Sequence, residues 1–132
     1  GSLSSAGLEN YYSRVHFPDS IDNNDLPAVI QGAKLFLYPS KRESFGIPIL
    51  EAMAGGVPVV TSNAASMPEV AGGQAFLIKP LEVDSIVEGI HSLMDSSDLR
   101  VKLSQGGRSR ALSFSWDQSA QEMLNIYKTL KQ

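Results

Sequence analysis

Two glutamates, Glu43 and Glu51, are the residues of this sequence whose type and spacing could support chemistry. Glu51 is the only charged side chain between Phe45 and Val60, in the run FGIPILEAMAGGVPVV. A carboxylate in so apolar a run is costly to bury unless nearby groups donate hydrogen bonds to it. Because exceptions of this kind collect at functional sites, the segment from Glu43 to Glu51 is the first place to look for a function.

The residues between the two glutamates predict a helix start that could bind an anion. Phe45, Gly46 and Ile47 would supply backbone N–H groups of a first helical turn, which have no acceptor inside the helix. Pro48 lacks an N–H and suits an early helical position, and Gly46 has no side chain to hinder a ligand. Together with the helix dipole, these donors favour a phosphate.

Glu51 would follow one turn later, about 6 Å further along the helix axis, on the same side as Ile47. A carboxylate at that place could accept paired hydrogen bonds from a cis-diol such as ribose. The layout suggests a sugar at Glu43, phosphates at the helix start and a nucleoside at Glu51. The residues also allow a simpler interpretation, in which backbone N–H groups or a buried water satisfy Glu51 and Glu43 is a solvated loop charge.

Patterns along the chain predict the elements that would position these residues. Apolar strands alternate with helical patterns, which favours an α/β fold with a parallel sheet and helices on both faces. Strands are predicted at 11–17, 35–40, 57–62 and 75–79, and helices at 24–32, 47–54, 66–72, 84–94, 98–112 and 115–130. In such a sheet ligands bind beyond the carboxyl ends of the strands, where the loops 39–46 and 62–66 would lie.

Two finer features of this pattern concern how the helices begin and end. Capping boxes, which join a serine to a glutamate or glutamine three residues later, are predicted at Ser66 and Ser115. Gly106 and Gly107 are predicted to interrupt the helix at 98–112, because glycine disfavours a helix interior.

The composition fits one soluble globular domain. The formal net charge is -3 and no long basic run occurs, which argues against a nucleic-acid or anionic-membrane surface. With no cysteine, and with His16 and His91 far apart, neither a disulfide framework nor a metal site is expected. No apolar stretch reaches the length of a membrane span and no signal peptide is visible, so a cytoplasmic location is expected.

The segment PSKRESFGIPILEAMAGGVPVVTSNAASMPEV resembles the donor-site signature of the family 4 (group 1) retaining glycosyltransferases. In those enzymes two glutamates are separated by seven residues, the E-x7-E motif, and Glu43 and Glu51 have that spacing. DLPAVIQGAKLFLYPS resembles the preceding helix and strand, and FSWDQSAQEMLNIY resembles the closing helix, so the similarity runs from Val15 to the C-terminus. The resemblance implies the C-terminal, donor-binding half of a GT-B fold, which is Rossmann-like.

The resemblance also implies a role for each matching residue. Glu43 matches the catalytic glutamate that contacts hydroxyls of the donor sugar as the glycosidic bond breaks, and Glu51 matches the glutamate that binds the ribose hydroxyls. The loop whose backbone amides approach the sugar and diphosphate matches Ser44, Phe45, Gly46 and Ile47. The family uses no cofactor and no obligatory metal, because side chains and the helix start stabilise the leaving diphosphate.

Three departures from the family pattern limit these implications. Ser44 stands where glycine is common, and Asp19 stands where a glycine often follows the first strand, which leaves the nucleobase contact open. Nothing before Tyr11 matches the family's earlier strands or its basic pair for the diphosphate, and no acceptor-binding half is present. Residues 1–10 are therefore expected to be a disordered tag or N-terminal remnant, and 11–132 a partial domain.

The function that follows from the resemblance is donor binding within an enzyme that moves a hexosyl group from a UDP, GDP or ADP sugar. The acceptor would be a glycan, a glycolipid or a small molecule, and a membrane-associated acceptor would bring the enzyme to the inner membrane face. The isolated chain is expected to be inactive, since the acceptor domain is missing from it. Two alternatives stay open, namely half of a sucrose- or trehalose-type synthase and a noncatalytic domain that binds sugar nucleotides.

Truncation also predicts association. In the resembled fold, strands that this chain lacks lie between the predicted strand at 11–17 and the strand at 35–40. Their loss would leave an apolar sheet edge, which is a template for pairing with another chain. The fragment is therefore expected to dimerise or to swap strands, unless the segment from Val15 to Phe17 moves into the gap.

Overall fold

The structure is a computed structural model, and it describes residues 9–22, 24–42, 46–114 and Lys128. A short 3₁₀ helix at Glu9–Arg14 comes first. The elements that follow are α1 (Leu26–Gln31), β1 (Phe36–Tyr38), α2 (Ile47–Ala54), β2 (Val59–Ser62), α3 (Met67–Ala71), β3 (Phe76–Ile78), α4 (Val83–Met94) and α5 (Ser97–Ser113). The three strands form one parallel sheet in the order β1-β2-β3.

The central strand β2 is buried along its whole length, as its apolar sequence predicts for a parallel strand covered on both faces. Successive side chains of a strand point to opposite faces, so Val59 and Val60 enter different layers of the core. Val59 packs with the layer built on α2 and α3. Val60 packs with Ile78, Leu93 and Leu103, which belong to β3, α4 and α5. Helices therefore cover both faces of the sheet, and the predicted α/β class is confirmed.

Helix α4 lies unusually close to the sheet because it carries a glycine where the two meet. A Cβ built on Gly89 would lie 2.7 Å from Ile78 Cγ2 and 2.9 Å from Val60 Cγ1. Both atoms belong to β-branched side chains, whose rotamers are stiff. The glycine is therefore required by the packing of α4 on β2 and β3.

Helix α5 runs without a break through Gly106 and Gly107, so the predicted interruption is wrong. Gly107 is buried, and a Cβ built on it would lie 3.3 Å from Met53 Cγ on α2. A glycine inside a helix costs only about 1 kcal/mol relative to alanine, and here it allows two helices to approach. The helix begins at Ser96, whose side chain accepts a hydrogen bond from the Leu99 N–H at 3.1 Å.

Two further predictions about local structure are wrong. The residues predicted as a strand at 11–17 begin inside the 3₁₀ helix and continue without regular structure, and Phe17 is 73% exposed. Ser66 does occupy the N-cap of α3, but its side chain makes no capping hydrogen bond there. Its φ of -84° and ψ of -3° are helical, whereas a capping side chain needs an extended backbone at that residue.

Some predictions fall on parts of the chain for which placement is not described. Residues 1–8 of the predicted remnant at 1–10 lie outside the described residues. Of the predicted closing helix at 115–130, only Lys128 is described. Within the described ranges, none of the helices has the length and apolar character needed to cross a membrane.

Replacing Gly89 with alanine is expected to destabilise the fold. Overpacking against Ile78 and Val60 costs about 1–3 kcal/mol, and a gain in helix propensity of about 1 kcal/mol offsets part of it. The free energy of unfolding, measured by urea denaturation, is expected to fall by up to about 2 kcal/mol.

Gly32→Ala is the matched control. Gly32 has a φ of -75°, and its added Cβ would meet only backbone oxygens of the preceding turn at 3.5 and 3.7 Å. The control is expected to stay within about 0.5 kcal/mol of the wild type. Equal stability of the Gly89 variant and the control would contradict the close approach of α4.

Candidate functional site

The two loops that the sequence selected begin at the same edge of the sheet. Because β1 and β2 are parallel neighbours, with Tyr38 opposite Thr61, their carboxyl ends meet at the same edge of the sheet. The loop after β2 is joined to the next strand by the Asn63 N–H, which donates to the Ile78 carbonyl at 2.8 Å. This edge is where an open parallel sheet binds ligands.

Gly46 forms the N-cap of α2 in a left-handed conformation, with φ 74° and ψ 38°. It is buried, and a Cβ built on it would lie 3.1 Å from Met67 Cε and 3.3 Å from Ile49 Cδ1. The sequence interpretation attributed the missing side chain to room for a ligand. The structure gives two other reasons, which are the backbone conformation and the packing of Met67 against the start of α2.

Met67 lies on α3, and an arginine on α5 holds that short helix in place. Arg110 donates from Nη2 to the Glu69 carbonyl at 2.7 Å and from Nε to the Val70 carbonyl at 3.0 Å. These carbonyls belong to the last turn of α3, where a positive charge also interacts favourably with the helix dipole. The support beneath Gly46 therefore extends through α3 to α5.

At the start of α2, the first backbone hydrogen bond of the helix closes on the Gly46 carbonyl. Pro48 has no N–H, and the Ile49 N–H donates to the Gly46 carbonyl at 3.0 Å. The Ile47 N–H stays as the first-turn donor with no acceptor inside the helix. The side chain of Ile47 is 44% exposed, so this end of α2 faces outward.

Glu51 is exposed, which corrects the expectation of a carboxylate buried in an apolar run. The reason is the periodicity of α2, which turns one face inward and the other outward. The inward face buries Ile49, Leu50, Ala52 and Met53. Ile47, Glu51 and Ala54 share the exposed face, so Glu51 does point the same way as Ile47, as predicted.

Glu51 forms part of the wall of a cleft of about 430 Å³ between α1 and α2. The residues that line this cleft are Leu26, Pro27, Ile30, Gln31, Glu51, Ala54 and Gly55. Among them, Glu51 carries the only charge and Gln31 the only other polar side chain. An apolar cleft with one or two polar groups is the usual form of a small-molecule site.

The cleft has a defined direction relative to the sheet. Helices α1 and α2 each lead into a strand of the parallel pair, so their C-terminal ends lie toward the amino ends of the strands. The cleft is narrow there, because a Cβ built on Gly55 would lie 3.0 Å from Gln31 Cγ. Leu26 lies five residues and Glu51 three residues before those ends, nearer the carboxyl edge of the sheet.

Three of the predicted site residues lie outside the described residues. These are Glu43, Ser44 and Phe45. The structure brings Gly46, Ile47 and Glu51 together on one short helix, and the roles of all six stay predictions.

The sequence interpretation missed several residues of this region. It did not identify the α1 residues that line the cleft, because the cleft exists only where α1 and α2 pack together. It also missed Thr61 and Ser62, although two hydroxyl residues that end an apolar strand are a signal visible in VPVVTS. Both are 0% exposed. Thr61 donates a hydrogen bond to the last residue of β1, and Ser62 donates one to the segment that follows β1.

Among the described residues, no three acidic or histidine side chains lie together in a way that could hold a metal ion. His91 lies 3.9 Å from the carboxylate of Asp95, and both are on the surface. That the site works without a metal stays a prediction.

Comparison with known proteins places the sequence among enzymes that transfer sugars. A family model described as "Glycosyl transferases group 1" matches residues 5–110. O-antigen chain mannosyltransferase B of Escherichia coli is 40% identical over 110 residues, which are 83% of this chain and 29% of that protein. The chain therefore spans under a third of this relative's length.

Solved structures agree with this similarity. Sucrose-phosphate synthase from Thermosynechococcus elongatus matches with a TM-score of 0.81 and 26% identity, over 98% of this chain and 33% of that one. The Anabaena protein HepE, solved in complex with UDP, matches with a TM-score of 0.77 and 25% identity, over 96% and 35%. Both support the Rossmann-like α/β fold of GT-B enzymes.

Gly46→Ala is expected to destabilise the start of α2. The left-handed backbone costs a residue with a Cβ about 1–2 kcal/mol, and contact with Met67 and Ile49 adds to this. The free energy of unfolding is expected to fall by about 2–4 kcal/mol in urea denaturation.

Gly73→Ala separates the two contributions. Gly73 has a φ of 80°, and nothing lies within 4 Å of an added Cβ. This control should lose only the backbone part, about 1–2 kcal/mol. Equal losses at Gly46 and Gly73 would show that packing against Met67 contributes nothing.

Proposed function

Since this chain belongs to the group 1 glycosyltransferases, we propose that the cleft beside Glu51 binds the nucleoside part of a nucleotide-sugar donor. The observation that carries this proposal is the position of Glu51. Its exposed carboxylate stands in the wall of a cleft of about 430 Å³, one turn after the start of α2. The E-x7-E spacing with Glu43 supports the same assignment.

The chemistry of the cleft suits a nucleoside. A carboxylate has two oxygens and accepts hydrogen bonds only, so it can bind the 2′ and 3′ hydroxyls of a ribose together. Leu26, Pro27 and Ile30 offer apolar surface to a flat base on the opposite wall. The UDP in the structure of HepE supports a nucleoside diphosphate as the recognised group.

The diphosphate would then lie at the start of α2. Glu51 follows Ile47 by four residues, about 6 Å along the axis, which is a suitable separation between a ribose and its phosphates. The Ile47 N–H and the helix dipole favour a negative charge at this end. Ser44, Phe45 and Gly46 complete the donor loop in this proposal.

Glu43 is the residue to which we assign the catalytic role. It would hold hydroxyls of the donor sugar while the bond to the diphosphate breaks, and transfer would proceed with retention of the anomeric configuration. The leaving diphosphate would be stabilised by preorganised donors, without a cofactor or an obligatory metal.

We assign the transfer of a hexosyl group to a glycan, a glycolipid or a small acceptor to the full-length protein. This chain corresponds to only 29% of the length of the related mannosyltransferase. We expect the 132 residues alone to bind the donor without transferring it. Identity of 40% to a mannosyltransferase favours glycan transfer, while the match to a sucrose-phosphate synthase keeps a synthase as the second candidate. A cytoplasmic location is also part of the proposal.

Self-association of the isolated chain through β1, which is an edge strand of the sheet within the described residues, is part of it as well.

Glu51→Ala is expected to weaken nucleotide binding by the full-length protein. Loss of charged hydrogen bonds to ribose should cost about 1–3 kcal/mol, which raises the Kd roughly 5- to 150-fold. Isothermal titration with UDP, GDP and ADP measures this. Glu88→Ala, at an exposed carboxylate on α4, serves as the control and should bind like the wild type. An unchanged Kd for the Glu51 variant would refute the ribose assignment.

Glu43→Ala is expected to act mainly on turnover in the full-length enzyme. A group that stabilises the sugar in the transition state should lower kcat by a factor of about 100 or more when removed, while the Kd of the donor changes much less. Initial rates over a range of donor concentrations separate the two effects. Asp98→Ala, an exposed carboxylate on α5, is the control. A variant with full kcat and a raised KM would assign Glu43 to binding alone.

A further inference from the structure

Two hydroxyl residues end the central strand in a place where apolar side chains would be expected. Thr61 and Ser62 are both 0% exposed. A buried hydroxyl is costly unless it is hydrogen-bonded, and both of these are. Thr61 Oγ1 donates to the Tyr38 carbonyl at 2.8 Å, and Ser62 Oγ donates to the Ser40 carbonyl.

The two bonds differ in what they hold. Tyr38 is the last residue of β1 and already lies opposite Thr61 in the ladder of the sheet. Ser40 lies two residues beyond the end of β1, where the ladder has stopped. The bond from Ser62 is therefore an attachment between the sheet and the segment that leaves it.

A second hydrogen bond links Ser40 to a later residue of the same segment. Its own hydroxyl donates to the Arg42 carbonyl at 3.0 Å. A chain of two hydrogen bonds thus connects a buried residue of β2 to Arg42, which directly precedes Glu43 in the sequence. Lys41 and Arg42 are exposed, so packing of their side chains does not fix this path.

We propose that Ser62 is a positioning residue for the donor site, which acts through Ser40 on the backbone of residues 40–42. This rests on the proposed function, since the segment it fixes leads from β1 to the donor loop and α2. Hydrogen bonds to a ligand depend steeply on distance and angle, so a small displacement of this backbone weakens binding. Neither Ser62 nor Ser40 needs to touch the donor for this effect.

The competing explanation is that Ser62 only stabilises the fold, and Thr61 provides the matched control. Thr61→Val removes a buried hydroxyl from the adjacent position of the same strand with almost no change in shape. Its bond ends within the sheet and not on the segment after it. Both Ser62→Ala and Thr61→Val should lower the Tm, but only the first should affect the donor site.

The experiment measures Tm and the Kd of UDP, GDP and ADP for the full-length protein and three variants. For the nucleotide that the wild type binds, Ser62→Ala is expected to raise the Kd about 3- to 10-fold through the lost hydrogen bond. Ser40→Ala, at a half-buried position outside the core, should do the same with little change in Tm. Thr61→Val should keep the Kd within about twofold, because its partner stays in the ladder.

Each outcome decides a different question. If the wild type binds none of the three nucleotides, the proposed function fails and this inference fails with it. If the wild type binds a nucleotide and both serine variants bind it with the wild-type Kd, only the positioning role is overturned. If Thr61→Val weakens binding as much as Ser62→Ala, the effect is one of general stability and the inference is also overturned. If Ser62→Ala does not fold, the Kd of Ser40→Ala decides.

Discussion

Burial of β2 between two helical layers is the constraint on which the rest of the structure depends. Val59 and Val60 are both 0% exposed and point into opposite layers, so the strand must be apolar on both faces. A strand of this kind fixes the positions of its two neighbours through parallel ladders. The carboxyl edge of the sheet, and with it the start of α2, follows from that arrangement.

The sequence predicts well those elements whose signals are local. Helix α2 has the predicted bounds, because proline near its start and paired glycines at its end act on the backbone of their own segment. The predicted strand at 11–17 failed since a strand needs a partner, and its alternating pattern carries no information about one. The predicted break at Gly106 and Gly107 failed for a related reason, because the neighbouring helix that makes glycine useful is distant in sequence.

The same distinction between local signals and contacts of distant residues applies to the candidate site. Its residue types and spacing could be read from the sequence, and Glu51 does share a face with Ile47. The exposure of Glu51 could not, since its apolar neighbours suggested a buried position and only the direction of the helix face decides. The cleft was also out of reach, because α1 and α2 create it by packing together. The packing requirement at Gly46 was out of reach too, as Met67 lies 21 positions later in the sequence.

Exposure and burial separate the two kinds of residue that the proposed donor site requires. Glu51 is exposed, so its charge costs the fold little in desolvation, and the carboxylate is accessible to a ligand. Ser62 is fully buried and cannot meet a ligand, but its hydroxyl donates to Ser40, in the segment that precedes the proposed donor loop. Residues that contact a ligand can therefore vary with little effect on stability, whereas those that position the contact are tied to the core. A strand apolar except at its carboxyl end is the arrangement that permits both.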